Sequence, residues 1–167
     1  MNKRTNERTN ERTNEWKQVA STVMLYEVSL SARERGLDYE QTKTQVSHLV
    51  ARINARFSQS EGDPIVVWEE RDEKFFQLKD RLALLSTADI FFDTTVRGGL
   101  NRWPLEFVLA QSYMGGQGSE YLPKAKTAGL MVLSEFTSCM RVLQGALTVN
   151  PWKIQEVAEA LWTCVSM

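Results

Sequence analysis

Histidine is nearly absent from this sequence of 167 residues: His48 is the one example. That scarcity excludes histidine-rich metal sites and leaves little from which to build a Ser-His or Cys-His nucleophile pair. His48 itself sits inside an apolar helical stripe and reads as a packed or rim-exposed helix residue. Cysteine is also scarce. Cys139 and Cys164 are the two present, too few for a disulfide framework, and they read as reduced, partly buried thiols of a cytoplasmic protein. Charge of one sign is lacking too, since 20 basic and 21 acidic residues leave a formal net charge of -1. This balance gives no electrostatic case for nucleic acid or an anionic membrane. No apolar run approaches the roughly 18 residues needed to span a bilayer, and the basic N-terminus has no apolar stretch behind it to make a secretory signal.

What is present divides at residue 16. Residues 1–15 carry the unit Arg-Thr-Asn-Glu three times, at 4–7, 8–11 and 12–15, with no apolar residue after Met1. With nothing to bury, such a tail cannot offset its ordering entropy, and it reads as a frayed helix or as solvated chain. Residues 16–167 read as one globular domain, a length that suits a single core.

Within that domain short apolar runs alternate with amphipathic stretches. Strands are predicted near 23–29, 65–69, 89–94, 130–134 and 146–149. Between them, Val46, Leu49, Val50, Ile53 and Phe57 recur at helical spacing after a capping Asp38, and Phe75, Leu78, Leu82 and Leu85 mark a second helix. Pro104 suits the first turn of a third, where its missing N–H costs nothing. A short helix is predicted around 139–143, and a last one after Asn150-Pro151. Continuous apolar strands separated by helices imply an α/β fold, a doubly wound, Rossmann-like parallel sheet of about five strands. In such sheets ligands bind beyond the C-terminal strand ends. That rule points to the loops 31–35, 68–76, 94–102 and 134–138.

The loop 94–102 is the most informative of these. It leaves a strand and enters a helix through Gly98 and Gly99, and glycine admits positive φ and close approach of a ligand. The helix start adds free N–H groups, which together suit a phosphate or hydroxyl cradle. A tight turn explains the same two glycines. No G-x-G-x-x-G follows the first strand, which disfavours an ordinary dinucleotide-binding domain.

The segment Val-Arg-Gly-Gly-Leu-Asn-Arg-Trp-Pro-Leu-Glu-Phe (96–107) resembles the signature of the trehalose-6-phosphate synthase family, LRDGMNL followed by a glutamate four residues on. Leu-Ser-Glu-Phe (133–136), Val-Asn-Pro-Trp (149–152), Ser-Thr-Ala-Asp-Ile (86–90) and Ala-Arg-Ile-Asn-Ala-Arg-Phe (51–57) resemble four further blocks of the family in collinear order. The likeness extends over about residues 22–166. It implies one half of a GT-B glycosyltransferase, the C-terminal half that binds the sugar nucleotide. The complete enzyme would transfer glucose from UDP-glucose to glucose 6-phosphate with retention, without metal or other cofactor. Trehalose biosynthesis is the implied process, and other trehalose synthase subunits are implied as partners.

Residue by residue, the resemblance implies that Glu106 holds the ribose hydroxyls of UDP-glucose. The stretch Gly98, Gly99, Leu100, Asn101, Arg102, Trp103, Pro104 and Leu105 would line the pyrophosphate and glucose, largely through backbone N–H groups. Phe76 aligns with a backbone contact to uracil, and Arg33 with an arginine on the phosphate of glucose 6-phosphate. Each has an ordinary alternative: Glu106 as an acid complementing the helix dipole, Arg33 as part of the solvated run Arg33-Glu34-Arg35. Two departures stand out. Gly98 replaces the signature's aspartate, a loss of about 1.5–3 kcal/mol if that side chain holds a glucose hydroxyl. The family's catalytic arginine and lysine belong before the first strand, where the repeats at 1–15 show nothing similar. The chain is therefore expected to be a fragment that by itself binds weakly and turns over little. The alternative is a non-catalytic regulatory or interaction subunit of trehalose metabolism.

Overall fold

In the computed structural model the described residues are 23–30, 36–58, 63–72, 76–97, 99, 101–115 and 129–167. The element order is β1 (Leu25–Leu30), α1 (Leu37–Phe57), β2 (Val66–Arg71), α2 (Leu78–Thr87), β3 (Ile90–Asp93), α3 (Trp103–Gly115), β4 (Leu130–Ser134), a 3-10 turn (Ser138–Arg141), β5 (Leu147–Val149) and α4 (Ile154–Ser166). Strand follows helix throughout, as the apolar runs predict. The chain divides into two compact units, Met1–Phe76 and Gln77–Met167. The five expected strands are all present and every pairing is parallel. Their ladders group them as two sheets, β1-β2 and β3-β4-β5, where the sequence suggested one. The tail at 1–15 lies outside the described residues.

In the first unit β1 pairs with β2 from Leu25↔Val66 to Leu30↔Arg71. One face of this ladder carries Glu27, Ser29, Trp68 and Glu70, and there the Trp68 indole N–H donates to the Ser29 hydroxyl at 2.9 Å. From α1, the Tyr39 hydroxyl and the Lys43 ammonium both reach Glu70. The Arg-Ile-Asn block finds its reason at the far end of the helix. The Asn54 amide donates to Val66 O and accepts from Val66 N–H, both at 2.9 Å, so it imitates a strand partner for the start of β2. Tyr39, Lys43, Val46, Val50, Ile53 and Asn54 form the half-buried stripe of α1. Leu49 and Phe57, assigned to that stripe by spacing alone, are exposed, as is His48.

The second unit is doubly wound. Ile90↔Leu130, Phe91↔Met131 and Phe92↔Val132 pair across β3 and β4, and strand alternation sends odd and even positions to opposite faces. Phe91 and Met131 pack against Leu82, Leu85, Phe107 and Ala110 of α2 and α3. Ile90, Phe92, Leu130 and Val132 pack with Val149 against Val157, Ala160, Leu161 and Cys164 of α4. Helices thus cover both faces of the three-stranded sheet, which explains why residues 90–92 of β3 and 130–133 of β4 are continuously apolar.

Candidate functional site

Because the sheet is parallel, the segments after β3, β4 and β5 gather at one edge. Asp93, the last residue of β3 and 6% exposed, organises the first of them. Its carboxylate accepts the Thr95 N–H at 2.9 Å and the Thr95 hydroxyl through Oδ1, and the Asn101 amide at 3.3 Å through Oδ2. Asn101 Oδ1 in turn accepts the Trp103 N–H at 3.1 Å, which satisfies one free donor of the α3 N-terminus. A chain of hydrogen bonds therefore runs from the strand end to the helix start.

The glycine loop is tied from the other side by the 3-10 turn after β4. The Ser138 hydroxyl donates to Gly99 O at 3.0 Å, and the Cys139 thiol to Asn101 O at 2.7 Å. Gly99 does not need positive φ, contrary to the sequence argument. Among the described residues Gly145 alone takes one, at +100°, in the turn before β5. Packing does not require glycine here either, since a Cβ built on Gly99 would meet nothing within 4 Å.

Glu106 lies in the first turn of α3. Its carboxylate is gripped by Arg81 of α2 through two parallel hydrogen bonds, Nε to Oε2 and Nη2 to Oε1, each 3.0 Å. The two side chains are 13% and 16% exposed, and Arg81 also lies over the Trp103 ring, 5.7 Å from its centroid. The hydrogen bond to Glu106 raises the Arg81 pKa further, so the guanidinium charge is permanent at any working pH. The sequence alone did not single out Arg81, whose partner lies 25 residues away.

The block at 149–152 joins the remaining strand ends. The Asn150 amide donates to Glu135, its Oδ1 accepts the Trp152 N–H at 2.9 Å, and its N–H donates to Glu156 at 3.0 Å. Glu135 lies in a turn, and the 3-10 turn begins at Ser138. Trp152 is exposed at the rim.

Of the predicted site residues, Gly99, Asn101, Arg102, Trp103, Pro104, Leu105 and Glu106 are brought together by this loop and helix start. Arg102 is exposed, while Pro104 is buried. Gly98, Leu100 and Arg33 lie outside the described residues. Phe76 closes the first unit, 6% exposed, its ring 5.9 Å beneath the Arg71 guanidinium. Among the described residues no group of three His, Cys, Asp or Glu gathers in a metal-ligating cluster, and no helix is long and apolar enough to cross a membrane.

Acid titration has a definite sign here. The Asn150 N–H and then Lys153 lower the Glu156 pKa, and the Tyr26 hydroxyl and then Arg71 lower that of Glu69. A depressed folded-state pKa contributes stability above the unfolded value, about 4.3 for glutamate, and that contribution disappears as pH falls through the folded value. Melting temperature is therefore expected to decline with acidification from about pH 4.3 downward. Glu156→Gln should flatten part of that decline in a series of thermal melts.

The sequence profile of glycosyltransferase family 20 matches residues 11–167, and the chain belongs to that family. It is 32% identical over 146 residues to alpha,alpha-trehalose-phosphate synthase (UDP-forming) 5 of Arabidopsis thaliana, with 83% of this chain and 16% of the relative covered. With the alpha,alpha-trehalose-phosphate synthase (UDP-forming) of Yarrowia lipolytica it shares 34% identity over 140 residues, covering 84% of this chain and 26% of that protein. Two solved structures agree. An alpha,alpha-trehalose-phosphate synthase (UDP-forming) from Burkholderia xenovorans, in complex with glucose-6-phosphate, superposes with a TM-score of 0.71 at 27% identity, covering 87% of this chain and 28% of that one. The N-terminal domain of the Candida albicans trehalose-6-phosphate phosphatase gives 0.68 at 28% identity, covering 89% and 27%. The chain thus spans 16% to 26% of the length of the two sequence relatives.

Proposed function

We propose that this chain forms the UDP-glucose-binding wall of a retaining, UDP-forming trehalose-6-phosphate synthase acting in the cytoplasm. The observation that carries the reading is the segment Gly99–Glu106. It passes from the C-terminal end of a parallel strand into a helix start, fixed on both sides by Asp93 and by Ser138 and Cys139. The Asn101 and Trp103 N–H groups are bonded within the loop, so such a cradle would offer a diphosphate its remaining backbone N–H groups and the positive end of a helix dipole, charge already in place as the leaving group departs. Glu106, with two acceptor oxygens, suits a vicinal diol. Relatives named for UDP-forming synthesis, one of them solved with glucose-6-phosphate, supply the substrate class. Arg33 would meet the acceptor's phosphate, Phe76 the uracil, and Gly98 and Leu100 would continue the cradle between the residues described.

A second reading is favoured by Gly98, which stands where the family signature has aspartate, and by the N-terminal domain of a trehalose-6-phosphate phosphatase that shares this fold. Under it the chain binds nucleotide sugar, or another trehalose synthase subunit, without transferring glucose. Calorimetry with UDP-glucose, run beside an assay of UDP release with glucose 6-phosphate present, separates the two. Binding that Glu106→Gln weakens by about 10-fold or more, the equivalent of one charged hydrogen bond, supports the site in either reading. Turnover then selects the synthase. No binding to the unaltered chain would sink the synthase reading and leave a subunit that binds another chain.

A further inference from the structure

We propose that Arg81 is a positioning residue for ribose recognition: its guanidinium fork sets the Glu106 carboxylate in the orientation that accepts the nucleotide's two ribose hydroxyls. The inference rests on the reading of Glu106 given above and adds to it a residue from a different helix. An unrestrained glutamate rotates about three side-chain bonds, and a ligand that needs it in one orientation must overcome that freedom on binding. Here the two 3.0 Å bonds from Nε and Nη2 fix both the carboxylate's position and its plane. The fork is itself held, because Arg81 belongs to the helix of Leu82 and Leu85 and its guanidinium lies over the Trp103 ring. A carboxylate offers about four lone-pair directions, of which the fork uses two. One direction per oxygen remains, on the flanks of the carboxylate beside the fork, and either can accept a ribose hydroxyl.

Charge gives a second reason for the pair. A bare carboxylate beside a diphosphate repels it, whereas a carboxylate matched by a permanent cation does not. Arg81 thus lets an acidic side chain serve a doubly charged ligand. The ordinary alternative is a staple that joins α2 to α3 and has no bearing on the ribose.

These roles separate by ligand. The ratio of affinities for UDP and 2′,3′-dideoxy-UDP isolates the diol, because base and diphosphate are common to both. In the unaltered chain the ratio is expected to be about 10-fold or more, with Glu106→Gln lowering it toward 1. Arg81→Lys keeps the charge and removes the fork. It should lower the ratio nearly as far as Glu106→Gln while leaving affinity for the dideoxy compound within about twofold. Arg81→Gln, which reaches one oxygen without charge, is the second arm should the lysine variant fail to fold, and circular dichroism checks each variant first. For Arg81→Gln the ratio remains the readout, since loss of the cation lowers both affinities together. A wild-type ratio retained by the folded variants, with melting temperature alone reduced, would overturn the proposal and leave a staple. A ratio near 1 in the unaltered chain would instead overturn the role of Glu106, and this inference with it.

Discussion

Replacing Phe107 by alanine is expected to destabilise the unit Gln77–Met167 by about 3–5 kcal/mol. The ring is 1% exposed and sits between α3 and the sheet, 5.4 Å from the Phe91 ring, with Leu85 and Ala110 in the same cluster. The neighbouring backbone has no means to close the hole. A Cβ on Gly129 would come within 2.5 Å of Phe107 Cζ, so the ring occupies the room that the missing side chain leaves. Residue 129 is held there by the Gln111 amide oxygen at 3.3 Å, and the following Leu130 N–H donates to Asp89 O at 2.8 Å. A cavity that cannot collapse costs the most among large-to-small changes. Total stabilities of about 5–15 kcal/mol leave little after such a loss. Urea denaturation followed by near-ultraviolet circular dichroism measures it. Leu109→Ala, two residues along the same helix but 66% exposed, is the control and should stay within about 0.5 kcal/mol. A loss below about 1 kcal/mol for Phe107→Ala would mean that the α2–α3 face is not a packed layer.

The fold was legible where physics is local. Ile90-Phe91-Phe92 and Leu130-Met131-Val132-Leu133 are apolar on consecutive residues, and only a strand covered on both faces uses such a run. Their observed limits lie within two residues of the expected ones. Spacing misled at Leu49 and Phe57. A 21-residue helix over a two-stranded ladder has more apolar positions than its partner covers, and both side chains face outward. The site was legible only as a segment. The resemblance drew attention to 96–107, but its supports come from elsewhere in sequence: Asp93 from the strand end, Ser138 and Cys139 from the turn after β4, Arg81 from α2. Arg81 lies in Leu-Lys-Asp-Arg-Leu, which reads as an ordinary charged helix face until its partner is known. Asp93 left one signal, since an aspartate two residues before a threonine is a pattern of side-chain-capped turns. Positive φ at the glycine pair was inferred from residue type, and Gly99 shows why type is insufficient. Gly99 has neither a positive φ nor a neighbour that a Cβ would meet.

Asp93 carries the second large effect. Its carboxylate is nearly inaccessible to water and receives three donors, the Thr95 N–H, the Thr95 hydroxyl and the Asn101 amide. Hydrogen bonds to a charged acceptor contribute about 1.5–3 kcal/mol each, and their donors are part-buried rather than wholly dry, so Asp93→Ala should cost roughly 3 kcal/mol in all. The location of the loss matters as much as its size. Without Asp93 the Asn101 side chain has no reason to keep its Oδ1 on the Trp103 N–H, and the α3 N-terminus loses its cap. The Ser138 and Cys139 bonds to Gly99 O and Asn101 O remain, but they hold the loop from one side. The expected pattern in hydrogen exchange is therefore local. Amides of Thr95, Asn101 and Trp103 should exchange faster, whereas those of β4 and β5, packed on α4, should change little. UDP-glucose affinity should fall with the same variant, because N–H groups that are no longer pre-aligned must be ordered on binding. Asp93→Asn keeps one acceptor oxygen and should lie between the two. Uniform loss of protection across the whole second unit would contradict the assignment of Asp93 to the loop and make it a support of the sheet itself.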